Sequence, residues 1–455
     1  SAYLNFRTLR GAMSLVESAA SFLLTWLDFL VGLVFYPIQW ACWCYHFLRV
    51  MARTGYDKEG QNASVKKVVI VGANFAGLSA LHEFLHDPNF HVVLIDQRDY
   101  FEYTPGVLRL FCEPRLFNSL ARRLPRGSHE SVLGTVTVTN SDHVVVAERG
   151  GATKSVYFDY LILATGADYR QPITAAPMEW SLQSRSATWQ REAAKVKEAQ
   201  RILVLGGGAV GTELAAEIAH YYPHKKVTIV DALPHLVPLF PSSTVKYVED
   251  WFMRQGVELV LGETLKTWDE KSCTTASGRV IPADLVFVCF GLRCNSQSVA
   301  DGDLADRLSD RREVEVDEHL KVLHSKCVFA AGDVMTHPSR EIKQAYYAEM
   351  NGKLAALNVI RSSHGQSLLR YPEDIAGAQI MPLVYVVSLG PYDGSLGFNE
   401  VVVNGTLAAL VKWFIEWTKV AQMEGRPLGA LVWGFGDAVT FFLSRTLVKP
   451  RARQD

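Results

Sequence analysis

Two glycine-rich stretches in this chain are of the kind that holds phosphate. The first, Gly72-Ala73-Asn74-Phe75-Ala76-Gly77, follows the apolar run Lys66–Val71 and precedes a helical period over Leu78–His86. The second, Gly206-Gly207-Gly208-Ala209-Val210-Gly211, lies between the run Arg201–Leu205 and a helical period over Thr212–His220. A strand that bends through glycine into a helix offers unpaired backbone N–H groups and the positive end of the helix dipole, and together these grip a diphosphate. In both cases the next apolar strand ends in an acid, Asp96 and Asp231. Each lies about 25 positions past its opening glycine, near the expected ~20, where a carboxylate accepts hydrogen bonds from ribose hydroxyls. Asp231 also repels a 2′-phosphate, and Ala232 and Leu233 follow it where an arginine would welcome one, so NADH is favoured over NADPH.

The two turns differ at the middle position. Gly206, Gly208 and Gly211 complete the second fingerprint, with Ala209 and Val210 opening its helix. In the first, Asn74 stands between Gly72 and Gly77, with Phe75 and Ala76 opening the helix. Asparagine tolerates unusual φ better than most side chains, so nucleotide binding is expected there too. The alternative is a Rossmann-like core that holds nothing.

These turns need strands and helices in alternation, and from Lys66 onward the chain supplies them. Two further buried strands end in turn motifs: Tyr157–Ala164 runs into Thr165-Gly166, and Val328–Ala331 into Gly332-Asp333. The expected class is α/β, with two Rossmann-type folds. Residues 66–198 and 311–365 form the first, residues 199–310 the second, inserted into it, and residues 366–455 an α+β region.

With both fingerprints, Thr165-Gly166 and Gly332-Asp333, the chain resembles the two-dinucleotide-fold flavoproteins of the pyridine nucleotide-disulfide oxidoreductase superfamily. Over roughly residues 66–405 it resembles the apoptosis-inducing-factor-like ferroptosis suppressor proteins, and next the type II NADH:quinone oxidoreductases. Val69–Gly77, Gly206–Ile218, Val316–Val322 and Leu389–Gly394 carry that likeness. The resemblance implies FAD in the first fold, NAD(P)H in the second, and a quinone as electron acceptor. It places Arg109 against FAD, Val132 at the adenine end and Asp333 on the ribitol. Gly291 falls in the NAD set, and Glu213 faces the junction of nicotinamide and flavin. Gln344 and Tyr346 fall on the segment that runs beside the flavin and quinone in relatives. Glu213 also reads simply as a carboxylate stabilised near a helix N-terminus, and Gln344 and Tyr346 as part of an ordinary half-buried helix.

Seven scattered cysteines give neither a disulfide framework nor zinc spacing, so no metal is expected. Cys289 and Cys294 form a Cys-x4-Cys pair, but it follows the second fingerprint, whereas the redox pair of the glutathione-reductase branch follows the first. The net charge of −1 gives no basic footprint for nucleic acid.

The ends suggest a membrane. Residues 1–53 are read as a membrane segment because 19–48 are apolar at 23 of 30 positions, with Asp28 the one acid. That is longer than the ~20 residues a bilayer core needs; a transit segment and a buried core helix are the alternatives. Residues 54–65 are polar and read as a linker. Residues 407–421 place Leu410, Trp413, Phe414 and Trp417 on one helical face and Lys412, Glu416 and Lys419 on the other, as an interfacial helix does. Residues 428–443 are again apolar and aromatic. A membrane enzyme, with lipid as partner and the mitochondrial inner membrane as its place, is the expectation. The alternative is a weakly active flavoprotein subunit of a larger complex, and a homodimer is also open.

Overall fold

The computed structural model describes residues 19, 20, 22–28, 31, 65–85, 87–339 and 341–446. The expected N-terminal membrane segment and linker therefore lie almost wholly outside the described residues. The chain forms two compact units, one built on residues 65–413 and one that takes in residues 414–438.

The larger unit contains two main sheets, one mixed and one parallel. The first comprises β1 (Lys66–Val71), then, after helix α1 (Phe75–Phe84), β2 (Phe90–Asp96), β3 (Glu130–Thr139), β4 (His143–Glu148), β5 (Thr153–Tyr157) and β6 (Tyr160–Leu163). After helix α2 (Leu182–Glu198) comes the second sheet: β7 (Arg201–Leu205), helix α3 (Ala209–Tyr221), β8 (Lys226–Asp231) and β9 (Glu258–Leu261). An antiparallel meander, β10 (Leu265–Trp268), β11 (Ser272–Thr275) and β12 (Val280–Pro282), leads to β13 (Leu285–Val288). The chain then returns to the first sheet with β14 (Val328–Ala330) and helix α4 (Ala345–Ser363).

The strand orders are β14-β6-β1-β2-β3-β4-β5 and β9-β8-β7-β13. The first sheet is parallel from β14 to β3 and antiparallel beyond; the second is parallel throughout. Central parallel strands are covered on both faces, which is why they read as continuous apolar runs. Val68, Val69 and Ile70 are fully buried, as are Val204 and Leu205. On α2, fully buried Arg185 bonds Glu102 at 2.9 Å and Glu179 at 2.9 Å.

Beyond α4 an antiparallel sheet, β15 (Val384–Ser388), β16 (Gly394–Phe398) and β17 (Val401–Asn404), precedes helices α5 (Thr406–Met423) and α6 (Pro427–Thr446). Among the described residues, α6 is the one helix long and apolar enough to cross a membrane. In the smaller unit, Asp28 Oδ1 accepts from the Leu428 backbone N–H at 3.0 Å, on the first turn of α6. Residues 22–28 are helical and expose Phe22, Leu23, Trp26 and Leu27.

Two local expectations change. The helices after the glycine turns start at Phe75 and Ala209, inside the turns, earlier than apolar periodicity suggests. On α5, Lys412 and Lys419 are not an outward polar face; both are buried. Lys412 finds a carboxylate at 2.7 Å, and Lys419 Nζ sits 3.4 Å from the centre of the Trp433 ring. A buried ammonium persists only when something replaces its hydration.

Candidate functional site

The turn after β1 depends on two glycines. Gly72 has φ +105°, and a Cβ there would stand 2.2 Å from the Ala164 carbonyl oxygen. At Gly77 a Cβ would stand 1.8 Å from the Gly72 carbonyl oxygen. Gly206 and Gly211 repeat the pattern, with φ +109° and a 1.9 Å clash. The middle position is different. Gly208 lies at φ −69°, ψ −177°, and a Cβ there would meet nothing within 4 Å. Asn74 occupies the same place at φ −112°, ψ −151°, ordinary extended backbone. Its presence therefore needs no special tolerance of φ; it needs room, and the turn has room.

Both acids brace their own turns. Asp96 accepts from Ala73 N at 2.7 Å and Arg98 N at 2.8 Å. Asp231 accepts from Gly207 N at 2.5 Å and Leu233 N at 2.7 Å. A carboxylate has about four acceptor sites, so each retains capacity for ribose hydroxyls.

A cleft of about 640 Å³ opens over the first turn. Gly72, Asn74, Phe75, Ala76 and Asp96 line one end, and Thr165, Gly166, Gly332 and Asp333 the floor. Ala209, Val210 and Glu213 reach the same cleft from α3, and Lys343 and Gln344 from the approach to α4. Residues from both fingerprints thus share one cavity. Gly77 stands behind the turn. Val132 pairs with Ile95 and is buried; Gly134, Thr135 and Val136 further along β3 form the wall. Gly206, Gly208, Asp231 and Gly291, at or just past the ends of β7, β8 and β13, and Gly211, in the first turn of α3, lie outside this cleft's lining. Tyr346 is not on the cleft wall; its ring packs 6.0 Å from that of Tyr347. Arg109 does not line the cleft either, and its Nε lies 3.5 Å from Glu217 Oε1.

Glu213 is held tightly. Its Oε1 accepts from Ser388 N at 2.7 Å, Ser388 Oγ at 3.1 Å and Lys412 Nζ at 2.7 Å. One turn further along α3, Glu217 is 2% exposed, and burial raises its pKa against the opposing pull of Arg109 and Lys412. Half-buried Arg109 and buried Glu217, Lys412 and Glu213 form a run of alternating charge at the cleft. Sequence reading missed Lys412, Ser388 and Glu217. Only Glu217 carries a local signal, four residues after Glu213 on one helix face.

Asp333 lies in the floor, and burial raises its pKa despite the pull of Lys343. Thr165 and Asn295 are stitched together: Thr165 Oγ1 donates to Asn295 O at 2.7 Å, and Asn295 Nδ2 donates to Thr165 O and Asp168 Oδ1, both at 3.0 Å. Asn295 N also donates to Gly166 O at 3.0 Å.

Residues 66–352 match the pyridine nucleotide-disulphide oxidoreductase family. The chain belongs to that family. It is an FAD- and NAD-dependent oxidoreductase with the family's α/β fold. Ferroptosis suppressor protein 1 of Xenopus laevis is 29% identical over 370 residues, covering 78% of this chain and 95% of the relative. Apoptosis-inducing factor homolog B of Dictyostelium discoideum is 27% identical over 372 residues, covering 75% and 92%. The structure of NDH2 from Plasmodium falciparum in complex with NADH superposes with TM-score 0.61 at 13% identity, covering 80% of this chain and all of the other. The sulfide:quinone oxidoreductase of Aquifex aeolicus gives 0.67 at 17%, covering 86% and 100%.

The cleft fits the family's flavin nucleotide. Its volume lies in the range of cofactor sites. Asn74 Oδ1 is buried without a partner among the described residues. Turned end for end, that amide carries an N–H at the same orphaned position in the turn. Cys112, Cys273, Cys289, Cys294 and Cys327 are all free, and Cys294 Sγ donates to the Asp333 carbonyl at 3.4 Å. No redox disulfide stands in the site among the described residues.

Proposed function

We propose that this chain is a membrane-bound oxidoreductase that takes hydride from NADH onto FAD and passes two electrons to a quinone. The observation that carries the reading is the shared cavity, in which Asn74 and Asp333 of the first fold face Ala209, Val210 and Glu213 of the second. FAD, when bound, supplies the hydride acceptor and the two-electron relay. The protein's work is to bind, align and exclude water.

In this reading residues 66–198 and 311–365 hold FAD, and residues 199–310 hold NADH. The helix α1 N-terminus receives one diphosphate and that of α3 the other. Asp96 and Asp231 take the two adenosine riboses, and Asp333 the ribitol. Glu213, fixed through Oε1, would offer its remaining oxygen to the nicotinamide amide. Alignment of this kind lowers the barrier by prepaying orientation. Gln344 donates to Val384 O at 2.8 Å, and its Oε1 is buried without a partner among the described residues. Gln344, which lines the cleft, is our candidate to meet the second substrate, with Arg109 and Val132 supporting the flavin and Tyr346 further out. The likeness in fold to NDH2 and to a sulfide:quinone oxidoreductase supports a quinone. The apolar helix α6 supports attachment to a membrane, which we assign to the mitochondrial inner membrane.

Stopped-flow spectroscopy of the purified chain tests the reading. NADH should bleach the flavin band, a short-chain quinone should restore it, and flotation with vesicles should carry the protein upward. A yellow protein that NADH never bleaches overturns the assignment.

A further inference from the structure

One side of the cleft is closed by a stretch of chain with no ladder of its own. Residues 169–177 follow the Thr165-Gly166 floor, and Tyr169, Ile173, Thr174 and Ala175 among them line the cavity. Arg170 and Met178 are exposed, so the stretch stands between the cavity and solvent. It is neither helix nor strand. Such a segment keeps one shape only if its backbone polar groups find partners elsewhere.

Arg185, at 0% exposure, supplies them, and every N–H of its guanidinium is used. Nε donates to Glu102 Oε1 at 2.9 Å and Nη2 to Glu102 Oε2 at 3.1 Å. Nη1 donates to Glu179 Oε2 at 2.9 Å and to Pro172 O at 3.0 Å, and Nη2 also reaches Ile173 O at 2.9 Å. The stretch has further ties: Thr174 Oγ1 accepts from Tyr169 N at 2.9 Å, and Glu179 Oε2 from Ala176 N at 3.0 Å. Well-packed apolar side chains often stabilise a core as much as buried ions do. What they cannot do is hold two carbonyls and two carboxylates around one rigid plane.

We propose that Arg185 is a positioning residue for FAD: through Pro172 O and Ile173 O it fixes residues 169–177 as the outer wall of the cleft, and so sets how slowly the cofactor leaves. The proposal rests on the reading of the first fold as the FAD site, and its residues lie outside both fingerprints.

Release is followed on the full FAD-loaded chain by the rise of flavin emission after dilution. Arg185→Lys keeps the charge but gives up the planar fork, and should speed release at least about tenfold. Thr174→Val removes the acceptor for Tyr169 N and should speed release about three- to tenfold, while Thr174→Ser, which keeps the hydroxyl, should stay within about twofold. NAD⁺ affinity by calorimetry should stay within about twofold in all three, which a general loosening of the chain would not allow. Unaltered release in folded Arg185→Lys and Thr174→Val overturns the wall, as does a loss of NAD⁺ affinity that matches the faster release. If Arg185→Lys does not fold, the contrast between Thr174→Val and Thr174→Ser decides alone, and a shared rate overturns the proposal. A purified unaltered chain without flavin removes the FAD reading and the wall with it, whereas a yellow chain indifferent to these substitutions removes only the wall.

Discussion

The two glycine turns of this chain are near copies in backbone and unlike in setting. Each has a left-handed opening glycine, a last glycine pressed on the carbonyl of the first, and an acid bonded to the turn's own N–H groups. They differ at the middle, Asn74 against Gly208, and in what lies above. The first opens into the large cleft, while only the leading face of α3 reaches that cleft from the second. The comparison separates two roles often given together to glycine. The outer glycines answer to sterics that no other residue meets. The middle one answers only to the space a ligand needs, so a side chain is admissible where it can bond that ligand.

The harshest way to break the likeness is at the closing glycines. Gly77→Val should cost at least about 4 kcal/mol, since its Cβ would overlap a backbone carbonyl. The product should be colourless or insoluble. Gly211→Val should abolish NADH binding; if it can be isolated, it should keep a yellow chromophore. A Gly77→Val protein with normal flavin content would sink the account of the first turn.

Next is the buried ion pair that joins the second fold to α5. Lys412→Met strands the Glu213 carboxylate, whose side chain is 11% exposed. Removing one partner of a buried pair costs about 3–5 kcal/mol. Denaturant titration should show that loss, and adding Glu213→Gln should recover part of it. Additive losses in the double variant would show that the two groups do not act as a pair.

pH should divide the halves with a smaller effect. Behind the first-fold floor, Glu341 accepts from the Tyr371 hydroxyl, and burial pushes its carboxyl up to about 7. A raised folded-state pKa gives stability that is full below the ordinary value near 4.5 and lost as pH rises through about 7. Up to about 3 kcal/mol should disappear over that window. Glu341→Gln should flatten the curve, and an unchanged slope in that variant would assign it elsewhere.

The gentlest probe is an exchange of the middle residues. Asn74→Gly should leave the fold intact and change flavin retention by less than about tenfold, one hydrogen bond's worth. Gly208→Asn should fold as well, because its Cβ meets open space. Loss of folding in either variant would refute the claim that this position is governed by room.

Much of this arrangement could be read from residue order. Strand, glycine turn, helix, strand and acid follow one another locally, so Gly72 to Asp96 and Gly206 to Asp231 are visible without coordinates. Thr165, Gly166 and Asp333 are visible as strand ends. What could not be read is contact across the chain. Lys412 shows a lysine on an aromatic amphipathic period, and its spacing says membrane surface; its carboxylate is 199 residues away in sequence. The role of Ser388 depends likewise on how an antiparallel sheet folds back, which local periodicity does not encode. Apolar periodicity puts both helix starts late because Phe75 and Ala209 carry the turn's signal more loudly than the helix's.

The bonds between Thr165, Gly166 and Asn295 have a kinetic consequence. They tie the edge of the first nucleotide's floor directly to the chain leaving the second sheet, through two side chains and the backbone. A seam of that sort acts as a gauge block, setting the spacing between the two folds when the chain first folds. In the proposed reaction, alignment at this seam would already be in place before either substrate arrives.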